Sequence, residues 1–252
     1  MNEHYFYDLL LISWYALAAV VFIVLFFVPA PYGRYASRAK GPSLPSKWGW
    51  IIMESPPVLV PLLLFTTGRH HNFTAVILLL LWLSHYLQRA YMFPFLIKER
   101  NTRMPVWIIC LALFFNLVNG YLNGRWLFFF SEGYGPEWLT DPRFATGIVL
   151  FISGYIINRR ADWQLRRLRD CDDCEYKTPR GGLFRMVSCP NYLGEIIIWC
   201  GWALATWSWA GLSFAVWTIA NLAPRARTHH RWYREHLPDY PMRRKALIHG
   251  IW

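Results

Sequence analysis

PNYLGEIIIWCGWALATWSWAGLSFAVWTIA, residues 190–220, is built mostly from Ile, Trp, Ala, Leu and Phe. An apolar run of about 18 to 20 residues reads as a membrane helix. This stretch divides into two, Asn191–Ala210 and Gly211–Pro224, joined so closely that they must form a hairpin. At its front stand Asn191 and Glu195, four apart and so on one helix face. A carboxylate at the edge of such a segment costs free energy unless it has a partner.

The rest of the chain repeats the pattern. Of 252 residues 55% are hydrophobic and 16% charged, and 15 are Trp. A soluble domain carries about a quarter charged residues. Further apolar runs cover Leu9–Val28, Trp48–Thr67, Phe73–Ile97, Pro105–Tyr121 and Phe144–Asn158. Trp48–Thr67 is the least regular, because it contains Glu54, Pro56, Pro57 and Pro61. The first run is too long, and its flank too acidic, for a cleaved secretory signal. The fold expected is all-α, a polytopic membrane protein of seven helices forming one domain over residues 1–252.

The net charge of +11 does not point to nucleic acid, because its distribution follows the helices. The loops after the first, third and fifth helices and the tail after the seventh hold 4, 3, 8 and 7 of the 26 Lys and Arg, 22 in all. Arg69, Arg125 and Arg143 fall on the other side and Arg89 inside the third helix. The positive-inside bias then sets the N-terminus outside and the C-terminus in the cytosol.

The five cysteines form no framework. Cys171 and Cys174 make a single CxxC, a weak metal signal without a second pair. The histidine pairs His70–His71 and His229–His230 lack the companions of a His-box metal site, so no metal is expected.

Polar residues recur where a membrane disfavours them. Glu54 stands in WIIMESPPVLVP, and Tyr86 and Arg89 in WLSHYLQRAY. Asn158 and Asp162 lie four apart in INRRADWQLRRLRD, and RARTHHRWYREH follows the last helix. Each has a plain reading: Glu54 as the mouth of a kinked, hydrated helix, SHYLQR as interhelical glue, RRADWQLRRLR as a surface helix held by anionic lipid. Together they describe a polar pocket opening to the cytosol. Arg103, Arg166, Arg169, Lys177, Arg180, Arg225, Arg227 and Arg231 suit phosphates, and the Asn and acidic residues suit hydroxyls and amides. A dinucleotide has both parts. No GxGxxG or GxxxxGK[ST] is present, so helices and loops would hold it.

INRRADWQLRRLR, YKTPRGGLFRMVSCPNYLGEIIIWCGWALATWS and HHRWYREHLPDYPMRRKALI together resemble the steroid 5α-reductases. MESPP and HYLQRAYMFP extend the likeness into the front half. The resemblance implies a seven-helix membrane oxidoreductase that uses NADPH to reduce the 4,5 double bond of a 3-oxo-Δ4-steroid. Asn158, Asp162, Arg169, Tyr176, Asn191, Glu195, Arg225, His229 and Tyr233 would line the NADPH site, and Glu54 and Tyr86 would hold the substrate carbonyl. It further implies a monomer in membrane lipid, in the inner membrane of a bacterium or the endoplasmic reticulum of a eukaryote, with cofactor entering from the cytosol. Thr228 where a further His is common, Lys177 for Arg and Ser55 for Leu depart from the pattern.

The carbonyl chemistry follows from the residues. Hydride addition to an enone leaves negative charge on oxygen, and a donor aimed there accelerates the step. Tyr86 can donate, and Glu54, its pKa raised by desolvation, can be protonated and then hydrogen-bond Tyr86 or the carbonyl itself; which of the two supplies the proton stays open. Three other functions compete: a reductase of an enoyl-thioester or polyprenol, an S-adenosylmethionine-dependent methyltransferase, and a non-enzymatic sterol sensor. The acid–tyrosine pair argues against the methyltransferase, and the Arg-rich fifth loop against the sensor.

Overall fold

The computed structural model describes residues 2–29, 41–96, 102–168, 177–248 and 250. In chain order the helices are α1 (Glu3–Phe27), α2 (Ser46–Glu54), α3 (Pro56–Thr67), α4 (Phe73–Leu87), α5 (Phe93–Leu96), α6 (Val106–Arg125), α7 (Pro142–Leu168), α8 (Pro190–Thr206) and α9 (Trp209–His236). Short strands β1 (Ser43–Pro45) and β2 (Arg103–Pro105) pair antiparallel, Leu44 opposite Met104. π-type turns at Gln88–Met92 and Trp126–Phe130 extend α4 and α6.

Among the described residues, four helical stretches are long and apolar enough to cross a membrane: Glu3–Phe27, Ser46–Thr67, Phe73–Leu96 and Val106–Phe130. The chain is a helical membrane protein. Helices α7, α8 and α9 occupy the three remaining apolar runs, with shifted boundaries. α7 continues to Leu168 because Arg, Ala, Gln and Leu after Asn158 are all strong helix formers. α9 runs through Pro224 to His236, where the sequence places an end. The hairpin turn falls at Trp207, whose φ of 41° is the left-handed conformation, and not at Gly211.

Packing divides the chain into two compact units. The first comprises Met1–Ala30, Thr146–Ala205 and Gly211–Trp252. Its central contact is a glycine ladder. Gly147 and Gly154 on α7 face Gly194 and Gly201 on α8, and a Cβ on Gly194 would sit 2.5 Å from the Asn158 backbone nitrogen. Small residues let membrane helices approach backbone to backbone, where apolar side chains gain little over lipid. Trp217 of α9 donates to the carbonyl of Trp14 on α1 at 3.0 Å, with their rings 4.8 Å apart. The tail returns to the start of α8: Ser188 and Cys189 donate backbone hydrogen bonds to Lys245 and Ala246 at 2.8 and 3.1 Å.

The second unit comprises Pro31–Ala145 and Thr206–Ala210. Its prolines explain its form. Pro57 has no N–H to give the Met53 carbonyl, and Pro61 none for Pro57. Inside a membrane such orphan carbonyls must be satisfied by neighbours. Asn116 of α6 donates through Nδ2 to Met53 at 2.6 Å. Trp82 of α4 donates through Nε1 to Pro57 at 2.7 Å. The broken helix α2–α3 is thereby fixed from two sides, and Glu54 stands at the break.

Candidate active site

In the second unit, Glu54 closes α2 and is buried, 8% exposed. Its Oε1 lies 3.6 Å from Arg89 Nε, and the Arg89 guanidinium also sits over the rings of Trp50 at 5.1 Å and Phe93 at 5.6 Å. Arg89 belongs to the π-type turn after α4, and one extra residue in a helical turn swings the following side chains round the axis. Ser55 at the break is held by its own hydroxyl, which donates to the Ile51 carbonyl, and by Tyr91, whose hydroxyl donates to Ser55 Oγ at 3.2 Å. Tyr86 is buried on α4 with its ring beside Trp82 at 5.0 Å and His85 at 5.2 Å. Gln88 is buried too, and its Nε2 has no hydrogen-bond partner among the described residues.

Arg89 adds a cation to the surroundings of Glu54, which sequence reading had described by desolvation alone. Sequence reading placed Arg89 inside the third helix but gave it no role.

In the first unit, Asn158, Asp162, Asn191 and Glu195 form one network across α7 and α8. Asn158 Nδ2 donates to the Asn191 carbonyl and to Glu195 Oε2, both at 3.0 Å. Trp199 Nε1 donates to Glu195 Oε1 at 3.1 Å, and Asn191 Nδ2 to Asp162 Oδ1 at 3.2 Å. The carboxylate at the edge of the oily segment therefore has its partners.

Arg225 and His229 meet on Tyr192. The Arg225 guanidinium lies over the Tyr192 ring at 5.3 Å, and the Tyr192 hydroxyl is 3.2 Å from His229 Nε2. Tyr233 stacks on Tyr240 with centroids 5.4 Å apart. Tyr240 and His230 both contact Ser188 Oγ, the latter through Nδ1 at 2.6 Å. Desolvation, then Arg234 and Lys245, hold the His230 imidazole below its ordinary pKa. Arg169, Tyr176, Cys171 and Cys174 lie outside the described residues. Tyr192, Trp199 and Ser188 were missed by sequence reading. Tyr192 lies inside NYLGE and Ser188 just before it, but neither stands out among its apolar and small neighbours.

These amides, carboxylates and cations fit a nucleotide cofactor: Asn and acid groups for hydroxyl and carboxamide, Arg225 and His229 for phosphate.

The fold and these buried polar clusters define a membrane-embedded helical enzyme. Residues 102–252 match the family described as 3-oxo-5-alpha-steroid 4-dehydrogenase. The chain is 42% identical to 3-oxo-5-alpha-steroid 4-dehydrogenase 1 of Bos taurus over 98% of both chains. It is 41% identical to the steroid 5-alpha-reductase DET2 of Gossypium hirsutum over 96% of both. Against 3-oxo-5-alpha-steroid 4-dehydrogenase 1 of Homo sapiens the identity is 40% over 86% of this chain and 84% of the relative. The chain belongs to the steroid 5α-reductase family and is an oxidoreductase of steroid metabolism.

Proposed function

We propose that the protein reduces the 4,5 double bond of 3-oxo-Δ4-steroids to the 5α-3-oxosteroid with NADPH. The observation that carries this reading is the burial of Tyr86 together with a Glu54 held by Arg89. NADPH, when bound, supplies the hydride. Asn158, Asp162, Asn191, Glu195, Arg225, His229 and Tyr233 hold it, with Arg169 and Tyr176 adding to the set.

Tyr86 donates its phenol hydrogen to the substrate carbonyl. Negative charge developing on that oxygen during reduction would strengthen the hydrogen bond from Tyr86, which would lower the barrier. Glu54, 3.6 Å from Arg89, would orient a donor at that carbonyl. Burial keeps water from the site, so the donor acts at low dielectric.

The proposal includes seven membrane spans, the N-terminus outside, the basic tail cytosolic, and cofactor entry from the cytosol, in keeping with 22 of 26 basic residues on that side. We read the protein as one reductase domain acting as a monomer. Purified protein is given NADPH with testosterone, progesterone or an enoyl-thioester, and loss of nicotinamide absorbance is followed. Turnover with the steroids and a 5α product is expected. Turnover of the thioester alone makes it an enoyl reductase. Oxidation of neither, with S-adenosylmethionine bound instead, makes it a methyltransferase.

A further inference from the structure

We propose that the end of α1 and one face of α9 form a binding site for the phosphodiester headgroup of an acidic membrane phospholipid. A pocket of about 440 Å³ is lined by Arg227, His230, Arg231, Arg234, Glu235 and Met242. That is the size of a small-ligand site. It offers three guanidiniums against one carboxylate, so its ligand is an anion, and the planar fork of Arg suits phosphate oxygens.

The pocket is separate from the cluster assigned to the nucleotide. Arg225, His229 and Tyr233 follow one another at every fourth residue and share a face of α9. Arg227, Arg231 and Arg234 share another, about 200° round the axis from Arg225 at about 100° per residue.

Its position relative to the apolar surface selects a lipid. The Arg227 guanidinium lies 5.5 Å over the ring of Phe26, in the last turn of α1. α1 is apolar enough to span a membrane, and at this end Ile23 is 59% exposed, Phe27 81% and Val28 57%. The Arg227 guanidinium therefore sits at the level where the apolar span ends, with Arg231 and Arg234 one and two turns further along α9. A phosphodiester on the Arg residues would leave its acyl chains to run along Ile23 and Phe27. A basic helix face is usually just solvated. Here the pocket and the stacking on Phe26 mark a particular place on it.

The full chain in detergent is titrated with phosphatidylglycerol, phosphatidylcholine or inorganic phosphate and read by native mass spectrometry. One phosphatidylglycerol should be retained in preference to phosphatidylcholine. Each Arg changed to Gln should weaken retention about fivefold, and Arg227→Gln/Arg231→Gln/Arg234→Gln about a hundredfold. Phe27→Ser should weaken the lipid without affecting inorganic phosphate. If the triple variant does not fold, Arg231→Gln alone decides. Equal retention of phosphatidylcholine, or unchanged retention in the Arg variants, overturns the site. Full displacement by millimolar phosphate with no effect of Phe27→Ser would make it a soluble-anion site, and displacement by NADPH would return it to the nucleotide. Either result ends the lipid assignment.

Discussion

Asn158 of α7 reaches Glu195 of α8 with its Nδ2 at 3.0 Å from Oε2, and it does so because Gly194 brings the two helices into backbone contact. The polar network is thus a consequence of the glycine ladder. Gly147 and Gly154, seven apart on α7, oppose Gly194 and Gly201, seven apart on α8. This is a helix-packing repeat, and it delivers the amide to the carboxylate.

Gly194→Ala tests that dependence. The new Cβ would meet the Asn158 nitrogen at 2.5 Å, and the obstacle is backbone. Overpacking of this kind costs about 1 to 3 kcal/mol. The variant should melt earlier in detergent and bind NADPH at least tenfold more weakly, since Asn158 and Glu195 move apart. Parent affinity with a parent melting temperature would show the contact to be soft and the ladder unimportant to the network.

The proline break makes a separate prediction. Asn116→Leu removes the donor to the Met53 carbonyl and leaves it orphaned in an apolar setting. The loss should be about 1 to 3 kcal/mol. Trp82→Phe does the same to the Pro57 carbonyl and also removes ring packing on Tyr86. Thermal unfolding of both variants measures this. If Asn116→Leu is as stable as the parent, the carbonyl finds another donor and the account of the break is wrong.

Much of this was readable in the sequence. The apolar runs, the awkward prolines and the polar residues of NYLGE and INRRAD all stood out against lipid-like composition. Their spacing alone puts Asn191 and Glu195 on one helix face. Other features were not readable, for identifiable reasons. That α7 reaches Leu168 and α9 reaches His236 is not marked in the sequence, because basic residues continue a helix as well as apolar ones do. The π-type turn that carries Gln88 and Arg89 has no sequence signature, so the pairing of Arg89 with Glu54 was hidden. Ser188 looked like any small residue, because its importance lies in Tyr240 and His230, both more than forty positions away.

His230 gives the fold a pH dependence. Its folded pKa lies below the unfolded value of 6.5, through desolvation first and then Arg234 and Lys245. The folded state therefore binds fewer protons than the unfolded one below that value, and stability rises with pH there. The contribution is whole above about 6.5 and is lost as pH falls through the folded pKa. Melting temperature should drop between pH 7.5 and 5.5, and His230→Gln should flatten that drop. An equal slope in the variant would place the dependence elsewhere.

Cofactor contacts are tested directly by Asn191→Ala and His229→Ala. A hydrogen bond to a charged group contributes about 1.5 to 3 kcal/mol, so each should lose roughly ten- to a hundredfold in NADPH affinity. Arg169→Ala, proposed for the same site, should behave alike. Unchanged dissociation constants in all three would remove the nucleotide from this cluster.

The roles proposed for Tyr86 and Glu54 can be separated by their variants and by that of Arg89. A phenol keeps its proton at neutral pH, so Tyr86→Phe removes the donor and little else. A positioned acid contributes about 10² to 10⁴ in rate. Turnover should fall within that range while NADPH still binds. Glu54→Gln keeps the shape and should cost less than Tyr86→Phe if Glu54, 3.6 Å from Arg89, only orients its neighbours. Arg89→Gln removes the cation 3.6 Å from a buried carboxylate and should lower turnover, and adding Glu54→Gln should restore part of that loss. Tyr86→Phe with Glu54→Gln should be less than additive if both serve one carbonyl. Single-turnover NADPH oxidation with an enone steroid, across pH, separates these cases. A Tyr86→Phe protein that reduces the steroid at the parent rate would end the carbonyl-donor mechanism, whichever way Glu54 and Arg89 behave.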